Sequence, residues 1–135
     1  MGSTTGKKKK TASKLKDFVS WFEIPALNFD KAVAFYDHIY DIKMERVINT
    51  SHSMAIFPAN GGIGGAVVNG PGSVPGQAGP LIYLNGGNNL EVILSRVSEA
   101  GGRIIMPKTF INKESGYFAI FIDCEGNKLA LHAAK

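Results

Sequence analysis

The sequence has a single cysteine, Cys124, and this scarcity excludes several kinds of site. One thiol forms neither an internal disulfide nor a cysteine-rich zinc centre. A membrane-spanning helix needs about 18 or more consecutive apolar residues, and no such run exists. No apolar segment of the signal-peptide type follows the N-terminal lysines either. These absences predict a cytoplasmic protein without a membrane partner.

Motifs for several reaction classes are also missing. There is no phosphate-binding Gly-Lys-Ser/Thr loop and no Gly-x-Ser-x-Gly nucleophile elbow. The excess of positive charge lies in residues 1–16, which hold six lysines and no acidic residue. Of the 15 basic residues, nine remain in the body against 11 acidic ones, a net charge of −2. We therefore expect a disordered basic tail over residues 1–16, and nucleic acid is not expected as a partner.

The first half of the body has the pattern of a strand, a helix and three strands. Aromatic and β-branched residues predict a strand over Phe18–Ile24. Asn28, as an N-cap, and apolar residues at helical spacing predict a helix over Phe29–Ile39. Three short strands are then predicted over Met44–Ile48, Met54–Phe57 and Ile63–Val68.

The same order restarts after a Gly/Pro-rich linker at residues 70–79. The predicted elements are a strand over Leu81–Asn85, a helix from Leu90 to Gly101, and strands over Arg103–Met106, Tyr117–Ile122 and Lys128–His132. One domain over residues 17–135 thus contains module one (17–69) and module two (80–135). The sequence predicts an α+β fold in which two βαβββ modules pair around a cleft.

Several segments together resemble the vicinal oxygen chelate superfamily, which includes glyoxalases, bleomycin resistance proteins and extradiol dioxygenases. They are Trp21-Phe22-Glu23-Ile24-Pro25, Ala34-Phe35-Tyr36, the segment Gly101 to Thr109, Gly116 to Phe121, and the turn Asp123-Cys124-Glu125-Gly126-Asn127. The resemblance covers Phe18 to Ala134, with Cys124 where the family usually has proline. It implies a cleft between the modules, commonly completed by a homodimer, with a divalent metal held by the first and last strands of each module.

The four positions that correspond to the family's metal ligands are read as Trp21, Gly65, Ile82 and Ala130. None of these side chains offers a lone pair suited to a divalent metal. We therefore expect no metal or other cofactor, and a shift of one residue does not restore the ligands.

A shift of two residues along a strand keeps the same face, and it brings in Glu23 beside Trp21 and His132 beside Ala130. If the two meet in the cleft, they would form an acid/base pair or half of a metal site. Glu23 and His132 are thus the candidate catalytic residues of a lyase, isomerase or dioxygenase.

Large aromatic residues on the strands are candidates for a ligand-binding wall or, alternatively, for the core. They are Trp21, Phe57, Tyr83, Tyr117 and Phe121. The linker and residues 110–116 are expected to be loops over the cleft. We expect a metal-independent protein that binds a small aromatic or apolar molecule in an apolar, aromatic cleft. One alternative is an enzyme that uses either a divalent metal or an acid/base pair. The other is an interaction module whose cleft is filled by its own side chains.

Overall fold

The computed structural model describes residues 14–135, and the predicted basic tail lies mainly outside them. The described chain forms eight strands and two helices. Their bounds are β1 Trp21–Pro25, α1 Phe29–Tyr40, β2 Glu45–Ile48, β3 Ser53–Ile56, β4 Gly64–Asn69, β5 Tyr83–Asn85, α2 Leu90–Leu94, β6 Arg103–Asn112, β7 Gly116–Ile122 and β8 Lys128–Ala133.

The strands form two four-stranded sheets of the same topology. The first has the order β1-β4-β3-β2 and the second the order β5-β8-β7-β6. In each sheet the first and last strands of the module are parallel, and the other neighbours are antiparallel. The predicted α+β fold with two βαβββ modules is confirmed.

The two modules share one hydrophobic core. Phe35 of α1 stacks on Phe121 of β7, with ring centroids 6.2 Å apart, and both side chains are buried. Leu90 and Leu94 of α2 are buried in the same cluster. The helices and the inner faces of both sheets thus enclose a common interior, which is consistent with the apolar periodicity of the sequence.

The two helices differ in length. Helix α1 begins after Asn28, whose side chain accepts the amide N–H of Lys31, and ends at Asp41 in the left-handed conformation. Helix α2 spans only five residues, although the sequence predicted a helix as far as Gly101. Tighter turns with i to i−3 hydrogen bonds, such as Val97 to Leu94, continue the chain after Ser95. Within residues 14–135, no helix is long and apolar enough to cross a membrane.

Strand β6 is longer than predicted and passes through Pro107. Its register with β7 shifts before that proline, between Ile104 and Met106, and again across it, between Met106 and Thr109. Strand β6 is an edge strand, which is where a sheet tolerates a proline and its missing N–H. The expected loop over residues 110–116 is wrong, since these residues form the end of β6 and the turn into β7.

Candidate functional site

Each sheet has an outer face, which is the face opposite the helices and the shared core. Side chains alternate along a strand, and Ile24 and Leu131 lie in the core. The residues next to Ile24 on β1 and next to Leu131 on β8 therefore point outward. Register pairs Glu23 with Ala66 on the outer face of the first sheet, and Tyr83 with Ala130 on that of the second.

Two of the four positions read as metal-ligand positions lie on these outer faces, and two do not. Trp21 and Ala130 lie on them. Gly65 pairs with Phe22 toward the core, where a Cβ atom would collide with the Phe22 ring. Ile82 also packs against the core. Counting along the sequence thus misses the outer face by one residue at Gly65 and Ile82, and one residue is enough to reverse the side chain's direction.

The side chains on the outer faces do not fit a divalent metal. Where the first and last strands of each module meet, the outer residues provide the Glu23 carboxylate and the Tyr83 phenol beside two alanines. Across residues 14–135, no three His, Cys, Asp or Glu side chains lie close enough to hold a metal ion. Zinc sites in proteins keep three or more protein ligands, even when they are catalytic.

Glu23 and His132 lie on outer faces but make separate contacts. The Glu23 carboxylate accepts the indole N–H of Trp21 at 3.2 Å. The Nε2 atom of His132 lies 2.5 Å from the carbonyl oxygen of Ser115. No hydrogen bond or ion pair joins Glu23 to His132 in the described chain, so the structure does not form the pair that an acid/base mechanism would use.

The five candidate aromatic residues divide between the two sides of the sheets. Trp21 and Tyr83 lie on the outer faces and are 42% and 56% exposed. Phe121 is completely buried in the core. Phe57 and Tyr117 pack against the core from its edge, which corrects the expectation of a cleft lined by all five rings.

A cavity of about 520 Å³ lies at the junction of the two modules, and we call it the junction cavity. Strand β1, the linker and the beginning of β8 form its walls. Its lining residues are Glu23, Ile24, Pro25, Val74, Pro75, Gly76, Gln77, Ala78, Pro80, Ile82, Asn127, Lys128 and Leu129. The lining is mainly aliphatic and proline, with a few polar groups, as is typical of small-molecule sites.

Of the residues selected from sequence, the junction cavity includes Glu23 and Ile82, and Trp21 lies beside it through its hydrogen bond to Glu23. Sequence reasoning missed Gln77 and Lys128. The signal for Lys128 was its position two residues before Ala130 on the same strand, which places both on the outer face. Residues 74–78 of the linker line this cavity.

The turn between β7 and β8, Asp123–Asn127, holds the junction cavity together. The Asn127 amide donates to the carbonyl oxygen of Pro25 at 2.8 Å and accepts the amide N–H of Gly76 at 3.0 Å. One side chain thus joins β1, the linker and the turn. Because Pro25 and Gly76 both line the cavity, Asn127 sets the distance between two of its walls.

The same turn contains the only cysteine. Burial raises the pKa of the Cys124 thiol to about 11, and the nearby carboxylates Asp123 and Glu125 add to this effect. The thiol is therefore protonated at neutral pH, and a protonated thiol is a poor nucleophile. Cys124 is thus a packing residue and not a candidate nucleophile.

A second, more open cavity of about 640 Å³ lies at the beginning of α1. The guanidinium of Arg46 lies in it, 5.4 Å from the ring centroid of Phe29 and hydrogen-bonded to Asp30. Since its cation is already paired with a carboxylate, this cavity is a weaker candidate site than the junction cavity.

Comparison with known proteins identifies the fold. No protein-family profile matches the sequence. No curated protein matches it either. Solved structures do: a glyoxalase/bleomycin resistance protein from Albidiferax ferrireducens T118 is 17% identical, covers 85% of this chain and 97% of its own, and superposes with a TM-score of 0.62.

Two further structures extend this result. A glyoxylase/bleomycin resistance protein/dioxygenase domain from Frankia sp. EAN1pec is 17% identical, with a TM-score of 0.62, and the match covers 93% of this chain and all of that one. A mutant of the fosfomycin resistance protein FosX from Listeria monocytogenes, in complex with Mn(II) and 1S,2S-dihydroxypropylphosphonic acid, is also 17% identical with a TM-score of 0.62. That match covers 90% of this chain and 95% of FosX.

These matches show that the chain has the glyoxalase/bleomycin resistance/dioxygenase fold, as the sequence resemblance implied. FosX binds Mn(II) on this fold. In the described part of this chain, no comparable group of metal-binding side chains is present. At this level of identity the similarity shows the fold alone, and the chemistry of the site depends on the chain's own residues.

Proposed function

We propose that this protein binds or sequesters a small molecule in the junction cavity without using a metal ion. The observation that supports this most directly is the cavity itself, about 520 Å³ in volume and lined by both modules and the linker. Its size falls within the range of small-molecule sites, roughly 300–1,000 Å³. Across residues 14–135, no three His, Cys, Asp or Glu side chains are grouped to hold a metal ion, and this favours binding over metal-dependent catalysis.

The ligand class that fits best is a small molecule with an apolar, flat or compact body. Val74 and Ala78 of the linker supply apolar walls, and Pro75 and Pro80 supply rigid ones. Trp21 stands beside the cavity with more than half of its surface covered. An aromatic ligand that reaches past Glu23 would contact the indole ring, which is a large stacking surface.

Binding is tested with two variants that differ only in position. Ala78 lines the cavity and Ala59 lies in another exposed loop, so replacing each with phenylalanine adds the same side chain inside and outside the site. We expect A78F to lower the affinity of any ligand found in a library of aromatic compounds by about tenfold or more, whereas A59F leaves it unchanged. Fluorescence of Trp21, the only tryptophan, reports binding.

Equal affinities of A78F, A59F and the unmodified protein would place the ligand elsewhere. Elemental analysis of the purified protein then tests whether a metal ion is bound. A divalent metal bound tightly at one ion per chain would contradict the metal-independent proposal. It would favour the alternative in which Glu23 and His132 take part in an enzymatic reaction, and E23Q would then abolish a measured turnover.

We also propose that two copies associate and that the protein acts in the cytoplasm. Strand β6 carries an exposed apolar group that a second copy would cover, namely Ile104, Ile105, Met106, Phe110 and Ile111. A single cysteine makes the fold independent of an oxidising compartment. Sedimentation velocity tests association, with I105K expected to shift the protein toward monomer and K113A, in the turn after β6, as the control. Fractionation of cells that express the full chain tests the location.

A further inference from the structure

Two opposite charges line the junction cavity without being paired to each other. Glu23 reaches it from β1 and Lys128 from the beginning of β8. Every ion pair found in residues 14–135 involves other residues: Lys31 with Glu125, His38 with Glu99, and Arg46 with Asp30. The cavity thus has an acidic wall and a basic wall.

The two charged groups differ in how they are held. The Glu23 carboxylate accepts the indole N–H of Trp21, which orients it while leaving further acceptor sites unused. The Lys128 ammonium makes no hydrogen bond or ion pair with any described residue, although the residue is partly buried. An apolar ligand that filled the cavity would remove water from Lys128 and from the cavity side of the exposed Glu23 carboxylate without replacing it, and that loss opposes binding.

We infer that the ligand is zwitterionic, with a carboxylate that pairs with Lys128, an ammonium group that pairs with Glu23, and an apolar body between them. This inference rests on the proposed binding function. Such a molecule replaces the water lost by each charge with a charge-assisted hydrogen bond. The aliphatic and proline walls then contact its body. This inference adds a charge requirement to the apolar ligand class proposed above.

Four probes of the same size and ring separate the contributions. They are para-aminomethylbenzoate (both charges), para-methylbenzoate (anion only), para-methylbenzylamine (cation only) and para-methylbenzyl alcohol (neutral). Calorimetry is the readout, because changing Glu23 removes the hydrogen-bond partner of Trp21 and so alters its fluorescence directly. We expect the zwitterion to bind about tenfold more tightly than either singly charged probe at low salt, with the difference shrinking as salt is added.

Two variants assign the charges. K128M is expected to reduce the affinity of the zwitterion to that of the cation-only probe, while that probe itself is unaffected. E23Q is expected to reduce the affinity of the zwitterion to that of the anion-only probe, while the anion-only probe itself is unaffected. The matched controls K113M and E114Q change the same side chains in the exposed turn between β6 and β7 and should leave all four affinities unchanged. Thermal unfolding confirms that each variant is folded.

The outcomes separate this inference from the proposed function. If the neutral probe binds as tightly as the zwitterion, the charge requirement is wrong and the binding function stands. An equal loss for all four probes in K128M would show that Lys128 only packs against the ligand, and this also overturns the inference. If none of the probes releases or absorbs heat of binding, the zwitterionic class is rejected, and the comparison of A78F with A59F still decides whether the cavity binds other molecules.

Discussion

The turns that close the last hairpin of each module occupy the same place in the topology but differ in burial and in their contacts. In module two, Asp123 and Asn127 are buried, and the turn contacts β1, α1 and the linker. In module one, the turn around Asn60 and Gly61 is exposed. No side-chain hydrogen bond extends from the Asn60 turn to the other module within the described chain. One turn joins the modules, and the other only reverses the chain.

The contacts of the β7–β8 turn explain the difference. Asp123 accepts the hydroxyl of Tyr36 at 2.7 Å and the amide N–H groups of Glu125 and Asn127. Glu125 accepts the amide N–H groups of Leu27 and Asn28, just before α1, at 2.6 and 2.8 Å. The turn at residues 123–127, which resembles that of the superfamily, therefore joins the two modules and does not indicate a chemical activity.

The largest effect is expected from D123A. Removing this carboxylate leaves the Tyr36 hydroxyl and two backbone N–H groups without their acceptor in a buried place. The free energy of unfolding should fall by about 3 kcal/mol or more. Urea denaturation measures it, with N60A in the exposed turn as the control, expected within about 0.5 kcal/mol of the unmodified protein. Similar losses in both variants would remove the distinction between the turns.

A smaller loss is expected from Y36F, which deletes only the hydroxyl that binds Asp123. We expect about 1–2 kcal/mol at neutral pH. Burial, with a contribution from the Asp123 carboxylate, holds the pKa of Tyr36 well above its ordinary value of 10.0. Above pH 10 the unfolded chain therefore loses this proton while the folded protein keeps it, so stability decreases with rising pH.

The free energy of unfolding of Y36F should decrease less steeply above pH 10 than that of the unmodified protein. Some decrease remains, because burial also raises the pKa of Tyr40. Urea denaturation between neutral pH and about pH 11 gives both slopes. Identical slopes in the two proteins would show that the Tyr36 proton is not linked to folding.

The third effect concerns the beginning of α1. E125A removes the acceptor for the amide N–H groups of Leu27 and Asn28 and should cost about 1 kcal/mol, as the loss of a helix cap does. E125Q keeps an acceptor oxygen and should cost less. Amide hydrogen exchange at the beginning of α1 should be faster in E125A than in E125Q. Equal exchange in the two variants would contradict the capping role.

The smallest effect is expected from K31A. The Lys31 ammonium lies 3.7 Å from the Glu125 carboxylate, but its side chain is 54% exposed, so solvent screens the pair. Its removal should cost at most a few tenths of a kcal/mol, and less at high salt. A loss as large as that of E125A would mean that charge, and not the backbone hydrogen bonds, holds this end of the turn.

Much of the fold could be predicted from sequence, because alternation and helical spacing are local properties of the chain. The strands β1 to β5, the helix α1 and the hairpin β7–β8 were all anticipated. The errors came where local signals conflict with tertiary context: Pro107 is tolerated on an edge strand, and the helix signal after Leu94 continues as tighter turns. Neither outcome follows from propensity alone.

The candidate site was less predictable than the fold. Glu23 and Trp21 were recognised because a strand face can be read from alternation. Lys128, Gln77 and Pro75 line one cavity, and Asn127 ties its walls together by binding both Pro25 and Gly76. Those partners lie 102 and 51 residues away in the chain, beyond the range of any local pattern.

The sequence by itself determined the repeated βαβββ order, the turn type at Glu125-Gly126-Asn127 and the lack of metal-binding side chains at Trp21 and Ala130. All three depend on residue identity or on short-range spacing. Only the tertiary structure decided that Gly65 and Ile82 face the core, that Phe121 is buried, and that Glu23 and Lys128 line one cavity. The physical reason is that a side chain's surroundings depend on strand register and on contacts between distant segments, and a shift of one residue reverses them.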